Sequence, residues 1–457
     1  MKLILLFVLF ILPLGAAAAE DITDRLQAAA DRGGDVTVPS GTYRLSRTVK
    51  LGPDTRVAGS GNTVLLLDGS CNAFETGTRG KYTDRVSVSG LTFKCPSPSP
   101  VSALVAKQVR HLTVSRIKTE NMAGVRVEHF SAARDTLNRD VTVSGCVFRG
   151  GGAPVQGVEI DWTDGFAVRD CRLEGFAHGI QWWGGDSDVR RGGLHSNMGF
   201  LKNGLIADCR VTDVEGGGIW GSMGENIVVR HCSVARCKDV GIDFEGCSES
   251  RAEDCDAGDC VNGNYATFQY CTGRIVFSGC RSTFSRAMNG VVGTCHYFNG
   301  NEVQLADYQD VTFEDCSFSS SVPSVIRPWH ALHSFSLLRC AMTNTAADTD
   351  TPRLDLLRIQ GCSFTFDSAC EGPALTAAVC SPAAFSGPSV FVTDNTFTAP
   401  RGPAAVRIVK KSDPAAAYVF RGNKAKGFSE APEVTNLGTE PLKDAGREQT
   451  PLIAQSS

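Results

Sequence analysis

Two pairs of acidic residues have a spacing that suits acid–base chemistry. Asp243 and Glu245 lie in the segment DVGIDFEG, and Glu159 and Asp161 lie in VEIDW. Alternate residues of a β-strand point to the same face, about 6.6 Å apart at the backbone. This separation is compatible with the acid and base of an inverting glycosidase and is a little wide for a retaining one. We interpret Asp243 as the acid and Glu245 as its partner, with Glu159 and Asp161 as the alternative pair.

A repeat of 22 to 25 residues decides where these acids lie in the fold. Nine similar apolar segments carry one cysteine each at the same place: Cys146, Cys171, Cys209, Cys232, Cys255, Cys280, Cys316, Cys340 and Cys362. Two longer gaps, of 38 and 36 residues, indicate surface insertions. Leu91 and Ile117 take the same place upstream, and asparagine takes it downstream. A unit this short cannot bury its own apolar face, so its copies must stack. Parallel stacking predicts a β-solenoid of about thirteen coils, spaced about 4.8 Å apart.

The repeated cysteines exchange with leucine and isoleucine, which is typical of an interior position. We therefore expect a stack of free thiols rather than a chain of disulfides. Cys237 with Cys260, and Cys247, Cys271 and Cys295, form shorter columns of the same kind. The best disulfide candidate is Cys370 with Cys380, and Cys71 with Cys95 is second. The C-x-x-C pairs and neighbouring histidines of a zinc site are missing from the sequence.

The segment from residue 22 to residue 69 carries a resemblance to a known family. It contains an amphipathic helix pattern, then VTVPSGTYRL, then the glycine turn VAGSGNT. This order is similar to the N-terminal entry of the right-handed parallel β-helix proteins of the pectate-lyase-like superfamily. The resemblance implies an all-β, single-stranded right-handed parallel β-helix with a short N-terminal capping helix. It leaves the activity open, because that superfamily includes lyases, hydrolases, epimerases and phage adhesins.

The first residues predict export. MKLILLFVLFILPLGAAAAE has an early lysine, an apolar stretch and a run of small residues ending near Ala19, which is typical of a secretory signal peptide. We divide the chain into a signal peptide at 1–19, a β-helix domain at 20–430 and a polar tail at 431–457. The protein is therefore expected to be secreted or periplasmic. No later apolar run is long enough for a membrane span. The net charge of −4 gives no reason to expect a nucleic-acid partner.

The carboxylate pairs fall into a longer set of outward-facing residues. Six segments superpose at the repeat spacing: VRVEH, VEIDW, IQWWG, IWGSM, IDFEG and ATFQY. Their outward positions are Arg126 and Glu128, Glu159 and Asp161, Gln181 and Trp183, Trp220 and Ser222, Asp243 and Glu245, and Thr267 and Gln269. The two carboxylate pairs flank two tryptophans and lie three coils, or about 14 Å, apart. Aromatic faces stack on sugar rings and carboxylates bind their hydroxyls, so the pattern predicts a polysaccharide groove. The alternative is a solvated sheet face whose tryptophans are covered by an inserted loop.

That inserted loop, from residue 184 to residue 204, supplies cationic side chains. Arg190, Arg191, His195 and Lys202 are placed to clasp an acidic sugar, since binding residues are often carried by loops on a rigid scaffold. An equally weighted alternative is a polar, mobile loop. The second insertion, from 295 to 310, adds His296 and Tyr297 at the far end of the groove.

These residues support several functions. In a uronate lyase, Asp243 and Glu245 hold Ca²⁺ while Arg190, Arg191, His195 or Lys202 removes the C5 proton. In a hydrolase, Asp243 and Glu245 are acid and base, and calcium is not needed. Epimerisation also stays open, and so does a non-catalytic rod that binds glycan or serves as a surface structure. We expect a polysaccharide partner that is bound by Trp183, Trp220, Gln181 and Gln269. The sequence does not distinguish a monomer from a trimer.

Overall fold

The chain winds into a parallel β-solenoid. The structure is a computed structural model, and it describes residues 19–130, 136–185, 200–268, 271–285, 309–328, 332–350, 354–379, 388–410, 417–429 and 431–436. Within these ranges the strands pair in parallel with strands one coil away, in about 14 coils. The predicted β-helix of about thirteen coils is therefore confirmed. In the same ranges no helix is long and apolar enough to cross a membrane.

Three parallel sheets form the sides of the solenoid. Sheet 1 contains the strands Val49–Leu51, Phe74–Thr76, Ser102–Lys107, Ala123–Glu128, Ile219–Ser222, Val240–Glu245, Gly263–Phe268, Leu375–Val379, Val406–Lys410 and Glu433–Asn436. Sheet 2 contains the strands Gly34–Val38, Thr83–Asp84, Val109–Ser115, Asn138–Ser144, Thr163–Arg169, Leu201–Ala207, Gly224–Arg230, Ser248–Glu253, Thr272–Ser278, Gln309–Glu314, Leu332–Leu338, Leu354–Gln360, Val390–Thr393 and Tyr418–Arg421.

Sheet 3 and the strands that turn a corner complete each coil. Sheet 3 contains Glu20–Asp21, Gly41–Arg44, Lys118–Glu120, Arg210–Thr212, Ser233–Ala235, Asp256–Gly258, Arg281–Phe284, Ser363–Thr365, Thr396–Thr398 and Lys424–Lys426. Thr55–Leu66 and Ser87–Lys94 run from sheet 2 into sheet 3. Four strands run from sheet 3 into sheet 1: Val147–Asp161, Arg172–Trp183, Ser317–Ile326 and Ala341–Asp348.

The helix Thr23–Asp31 covers the N-terminal end of the solenoid, as predicted. It buries Leu26 and Ala30 in the main core, next to Ile22. Asp21 accepts hydrogen bonds from the backbone N–H and the hydroxyl of Thr23, at 2.9 and 2.6 Å. The Thr23 hydroxyl therefore lowers the pKa of Asp21 to about 2. At the opposite end, the strand Glu433–Asn436 continues sheet 1 past residue 430, where the predicted domain ends.

The nine repeated cysteines form the predicted interior column. All nine are buried and have free thiols. From Cys171 onward, each Sγ also contacts a backbone carbonyl oxygen of the preceding coil, as in Cys255 to Val229 O at 3.6 Å. Asn395 extends the column downstream, where its amide donates to Ile359 O and accepts from Cys362 N. A small side chain with a weak donor therefore fits this position in the nine cysteine coils.

A sharp turn precedes each of these cysteines. The residue before the cysteine has a positive φ, between 50° and 67°, in all nine coils: Gly145, Asp170, Asp208, His231, Asp254, Gly279, Asp315, Arg339 and Gly361. Glycine and aspartate tolerate this left-handed conformation better than most residues. The turn redirects the chain from sheet 2 into sheet 3 and thereby brings the following thiol into the core.

The cysteine predictions outside the column have different outcomes. Cys71 and Cys95 are both free, so the second disulfide candidate is wrong in this structure. The Cys95 thiol instead lies 3.8 Å from the Met122 sulfur. Cys380 and Cys295 lie outside the described residues, so the Cys370–Cys380 pairing stays a prediction. Cys237, Cys247, Cys260 and Cys271 are buried, as expected for shorter columns.

Burial predicts which of the described thiols react with an alkylating agent. Cys71 and Cys370 are partly exposed, whereas the column thiols are buried. We expect iodoacetamide to label Cys71 in the native protein and to label the column only after unfolding, because thiolates form in solvent. Peptide mass spectrometry reads out each site. Labelling of Cys232 or Cys255 as fast as Cys71 would contradict the interior column.

Candidate functional site

Five successive coils of sheet 1 align the predicted outward residues. The register pairs Arg126 with Glu159, Glu159 with Gln181, Gln181 with Trp220, and Trp220 with Asp243. The second row pairs Asp161 with Trp183, Trp183 with Ser222, and Ser222 with Glu245. We call this set the outer stripe: Arg126, Glu128, Glu159, Asp161, Gln181, Trp183, Trp220, Ser222, Asp243 and Glu245. The sequence alignment of these five coils is confirmed.

The sixth coil is shifted by one residue from the predicted alignment. Ile242 pairs with Tyr265, so Ala266 follows Asp243 and Phe268 follows Glu245 on the outer face. Thr267 pairs with the core residue Phe244 and is buried, so its predicted outward position is wrong. The cause is Tyr265, which takes the interior position and donates its hydroxyl to the Cys255 and Arg281 carbonyl oxygens at 2.7 and 2.8 Å. Gln269 lies outside the described residues.

The downstream end of the outer stripe holds a buried carboxyl pair. Asp243 is 3% exposed, and Glu245 is half-buried on the same strand. Burial raises the pKa of Asp243 well above its usual value, and the charges of Glu245 and Asp239 raise it further. A hydrogen bond joins Asp243 to Glu245. The raised pKa of Asp243 favours this residue as the one that carries a proton shared by the two neighbouring carboxyls.

The upstream end is an ion-pair network. Arg126 Nε donates to Glu159 at 2.9 Å, and its Nη2 lies 2.8 Å from Glu128. Asp161 lies beyond this network, 7% exposed, with its Oδ2 3.4 Å from Nδ1 of His129. Burial raises the pKa of Asp161 to about 7, although the His129 contact opposes the rise. Glu159 and Glu128 are thus neutralised by Arg126, whereas Asp161 is not.

Two tryptophans and a histidine lie between the carboxyl pairs. Trp183 and Trp220 are each partly exposed. The His178 ring contacts the Trp220 ring at a centroid distance of 4.9 Å, and its Nδ1 accepts a hydrogen bond from Gly217 N at 2.9 Å. Burial lowers the pKa of His178 to about 4, so the imidazole is neutral at pH 7. The sequence interpretation missed His178, because it precedes the aligned segment and only the coil geometry brings it under Trp220.

Several buried polar atoms of this face have no hydrogen-bond partner within the part of the chain that the structure describes. They comprise two donors, Trp162 Nε1 and Trp220 Nε1, and three acceptors, Asp161 Oδ1, Gln181 Oε1 and Asp243 Oδ1. Gln181 is 5% exposed and Trp162 is 5% exposed. Buried polar atoms are normally paired, and leaving one unpaired costs roughly 1–3 kcal/mol. Five such atoms on four successive coils indicate a surface that is completed by a polar ligand.

Only one of the four loop residues predicted to bind an acidic sugar, Lys202, lies within the described residues. Arg190, Arg191 and His195 lie outside the described residues, so their roles stay predictions. Lys202 belongs to the sheet 2 strand Leu201–Ala207, where it pairs in register with Asp164. Its Nζ lies 3.8 Å from Asp164 Oδ2. Lys202 therefore lies on sheet 2, whereas the outer stripe lies on sheet 1.

A calcium ion fits the described residues poorly. Ca²⁺ takes six to eight oxygen ligands, with carboxylates ionised. Across the ranges that the structure describes, no group of three His, Cys, Asp or Glu side chains is arranged to hold a metal. Asp243 and Glu245 contribute two carboxyls, and the raised pKa of Asp243 disfavours the ionised form that a calcium ligand needs.

The buried carboxyl of Asp161 predicts a pH-dependent stability. Its pKa in the fold, about 7, lies above the ordinary value of 3.8. The stabilisation of its protonated form is fully present below about pH 4 and is lost as the pH rises through 7. Asp161→Asn, which stays neutral, is expected to be more stable than wild type at pH 8 by up to about 4 kcal/mol and similar at pH 4. Urea unfolding at both pH values measures this, and equal differences at pH 4 and pH 8 would contradict it.

Comparison with known proteins supports the fold. A family model described as a right handed beta helix region matches residues 187–303. The A-module of mannuronan C-5 epimerase AlgE6 from Azotobacter vinelandii is similar in structure, with a TM-score of 0.50 and 18% identity, covering 76% of this chain and 97% of the module. The N-terminal fragment of gene product 12 of bacteriophage phi29 has a TM-score of 0.51 and 10% identity, covering 92% of this chain and 86% of the fragment.

No curated protein matches the sequence, so these similarities concern the fold alone. The described coils, their parallel register and the matching family model agree with one another. The chain therefore has the fold of the right-handed parallel β-helix proteins.

Proposed function

We propose that the outer stripe binds a polysaccharide and that Asp243 and Glu245 hydrolyse it. The observation that carries the proposal is the set of unpaired buried donors and acceptors beside Trp183 and Trp220. A sugar hydroxyl both donates and accepts hydrogen bonds, and the apolar face of a sugar ring covers an aromatic side chain. A glycan therefore matches a face that offers both kinds of polar atom together with partly exposed tryptophans.

The length of the outer stripe fits several sugar rings. Asp161 and Asp243 lie three coils apart, which is about 14 Å at the backbone. The carboxyls of one glycosidase pair lie about 5 to 9.5 Å apart, depending on the stereochemical outcome. The upstream and downstream pairs are thus too far apart to act on one bond. Cleavage belongs to one pair, while the rest of the stripe binds neighbouring sugars.

The raised pKa of Asp243 supports the downstream pair as the acid and base of the hydrolysis. Asp243, whose pKa is raised by burial, donates its proton to the glycosidic oxygen as the bond to the anomeric carbon breaks. Glu245 accepts a proton from the water that attacks that carbon from the opposite face. One water is consumed, and the two carboxyls exchange protonation states. The two residues lie about 6.6 Å apart at the backbone, which is compatible with inversion at the anomeric carbon, and catalysis requires the substrate to separate their hydrogen-bonded carboxyls.

Elimination on a uronate is less well supported by the described residues. That reaction needs a cation to neutralise the sugar carboxylate and a base for the C5 proton. Arg126, the arginine of the outer stripe, is already bound by Glu159 and Glu128. The lyase and epimerase interpretations, and the preference for an acidic polysaccharide, therefore depend on Arg190, Arg191 and His195, which lie outside the described residues. Residues 1–18 of the predicted signal peptide at 1–19 also lie outside the described residues, so export stays a prediction.

The epimerase module that shares the fold is named for its action on mannuronan, a polysaccharide. That name accords with a glycan as the ligand class, while 18% identity supports the fold alone.

A panel of polysaccharides tests the proposed function. The purified protein is incubated with neutral glucans, xylan, polygalacturonate and alginate, and reducing ends are measured. Hydrolysis gives reducing ends without ultraviolet absorbance from an unsaturated product, and a chelator leaves the rate unchanged. Ultraviolet absorbance that is lost with chelator would establish a lyase instead. Binding without reducing ends would establish a glycan-binding rod.

A further inference from the structure

Three side chains from two coils meet at the upstream corner of sheet 1, and a fourth lies in the next coil. His129 follows the strand Ala123–Glu128, and Trp162 follows Asp161 in the next coil. Their rings lie 5.0 Å apart, and Phe200 closes the other side of Trp162 at 4.9 Å. Gln181 lies one coil further on, paired in register with Glu159. We call His129, Asp161, Trp162 and Gln181 the corner cluster.

A buried amide holds this corner in place. Asn138 is fully buried, and its Nδ2 donates to Glu128 O at 2.9 Å and to Asp161 O at 3.2 Å. Its backbone N–H donates to Trp162 O, and its Oδ1 accepts from Val109 N, each at 3.0 Å. The backbone segments that carry His129 and Asp161 are thereby fixed relative to each other. A fixed set of polar groups costs little ordering when a ligand binds.

The contrast between Asn138 and the corner cluster indicates a ligand. The side-chain polar atoms of Asn138 all have partners, whereas three members of the corner cluster keep a buried atom with no hydrogen-bond partner among the described residues: Asp161 Oδ1, Trp162 Nε1 and Gln181 Oε1. The Asp161, Trp162 and Gln181 side chains are all more than nine-tenths buried. A purely structural corner would pair these atoms, as Asn138 does. Their mixture of donors and acceptors excludes a simple ion and suits vicinal hydroxyls.

The charges around the corner cluster exclude an anionic ring. Glu159 and Glu128 face it from sheet 1, and Arg126 and Lys107 pair with them at 2.6 to 2.9 Å. Those cations are engaged, so a bound uronate finds no unpaired cation among the described side chains of this corner. Burial raises the pKa of Asp161, and the charges of Glu159 and Glu128 add to the rise, which agrees with a corner that disfavours an added carboxylate.

We propose that the corner cluster is a separate sugar-binding subsite that takes a neutral pyranose ring of the glycan cleaved at Asp243 and Glu245. The subsite rests on the proposed function for its ligand class. It lies about three coils, or about 14 Å, from the cleavage position, so only oligosaccharides of roughly four or more units reach both. Trp162 Nε1 donates to a ring hydroxyl, and Gln181 Oε1 accepts from one.

Binding of oligosaccharides of increasing length tests the subsite. The Asp243→Asn protein, which retains the groove without cleaving, is titrated calorimetrically with cello-, xylo- and galacturonate oligomers of two to six units. Trp162→Phe and Gln181→Met are added to this background. The first keeps an aromatic ring but removes the indole N–H. Glu174→Gln, on the exposed face of sheet 3, is the matched control. We expect each corner variant to weaken the long neutral oligomers about two- to tenfold and to leave dimers unchanged.

Each outcome separates the subsite from the proposed function. Equal affinities of the corner variants and the control for every length would overturn the subsite, while cleavage by the wild type would still support the function. An equal loss of affinity for galacturonate and neutral oligomers would overturn the assignment of a neutral ring to the subsite. A corner-dependent gain with length, in a wild type that cleaves no glycan, would retain the subsite and reject hydrolysis. Failure of every oligomer to bind would reject both.

Discussion

Asp243→Asn is expected to lower kcat for glycan hydrolysis by at least about a hundredfold, because positioned acid–base groups contribute 10²–10⁴-fold. The side chain is 3% exposed, and burial raises the pKa of its carboxyl well above the usual value, which favours the protonated acid. Asparagine has nearly the same shape and has no proton to give to the leaving oxygen. Glu245→Gln is expected to have a similar effect, because it removes the acceptor for the proton of the attacking water. The substrate is the polysaccharide identified in the panel.

Binding separates this effect from general damage. Both variants should hold the uncleaved oligosaccharide within about threefold of wild type, since the tryptophans and the unpaired amide are unchanged. Asp256→Asn is the control, because Asp256 is an exposed carboxylate on sheet 3 that pairs with Arg281. It should retain full activity. Full activity in both the Asp243 and Glu245 variants would refute the assignment of the pair.

Phe277→Ala is expected to lower the free energy of unfolding by about 3–5 kcal/mol, the usual cost of removing a buried phenylalanine ring. Phe277 is fully buried and stacks on Phe313 at 4.5 Å with an interplanar angle of 4°. Its ring also contacts the edges of Phe244 and Tyr265. The loss of this ring removes contacts in four successive coils at once. Urea unfolding followed by circular dichroism measures the change.

The neighbouring residue supplies the control for the core variant. Val276 lies on the same strand and faces outward. Val276→Ala should cost less than about 1 kcal/mol. If the two alanine variants were equally destabilised, the alternation of inward and outward residues on sheet 2 would be wrong.

Much of the fold was predictable because a single constraint acts on every coil. A small side chain must occupy the core after each left-handed turn, so Cys146, Cys232 and Cys362 recur at a fixed place and reveal the period. The same period, applied to the segments around Asp161 and Asp243, predicted the outer stripe through five coils. In-register parallel pairing transfers a sequence alignment directly into neighbouring side chains.

The remaining features depend on choices that a repeat alone does not fix. Tyr265 enters the core and moves the outward register to Ala266, because its hydroxyl finds two backbone acceptors inside. His129 and Trp162 lie at a corner, where the alternation of inward and outward residues ends. The direction of the chain after the strand then determines which side chains come into contact. The sequence does contain a signal for the left-handed turn, which is the aspartate or glycine before most column cysteines.

The most direct test of the account is a crystal structure of the Asp243→Asn protein with a six-unit oligosaccharide of the polysaccharide it cleaves. The account predicts sugar rings along sheet 1, over Trp220 and Trp183, with one glycosidic oxygen beside residue 243. An oligosaccharide bound to sheet 2, to sheet 3 or to an end of the solenoid would contradict it.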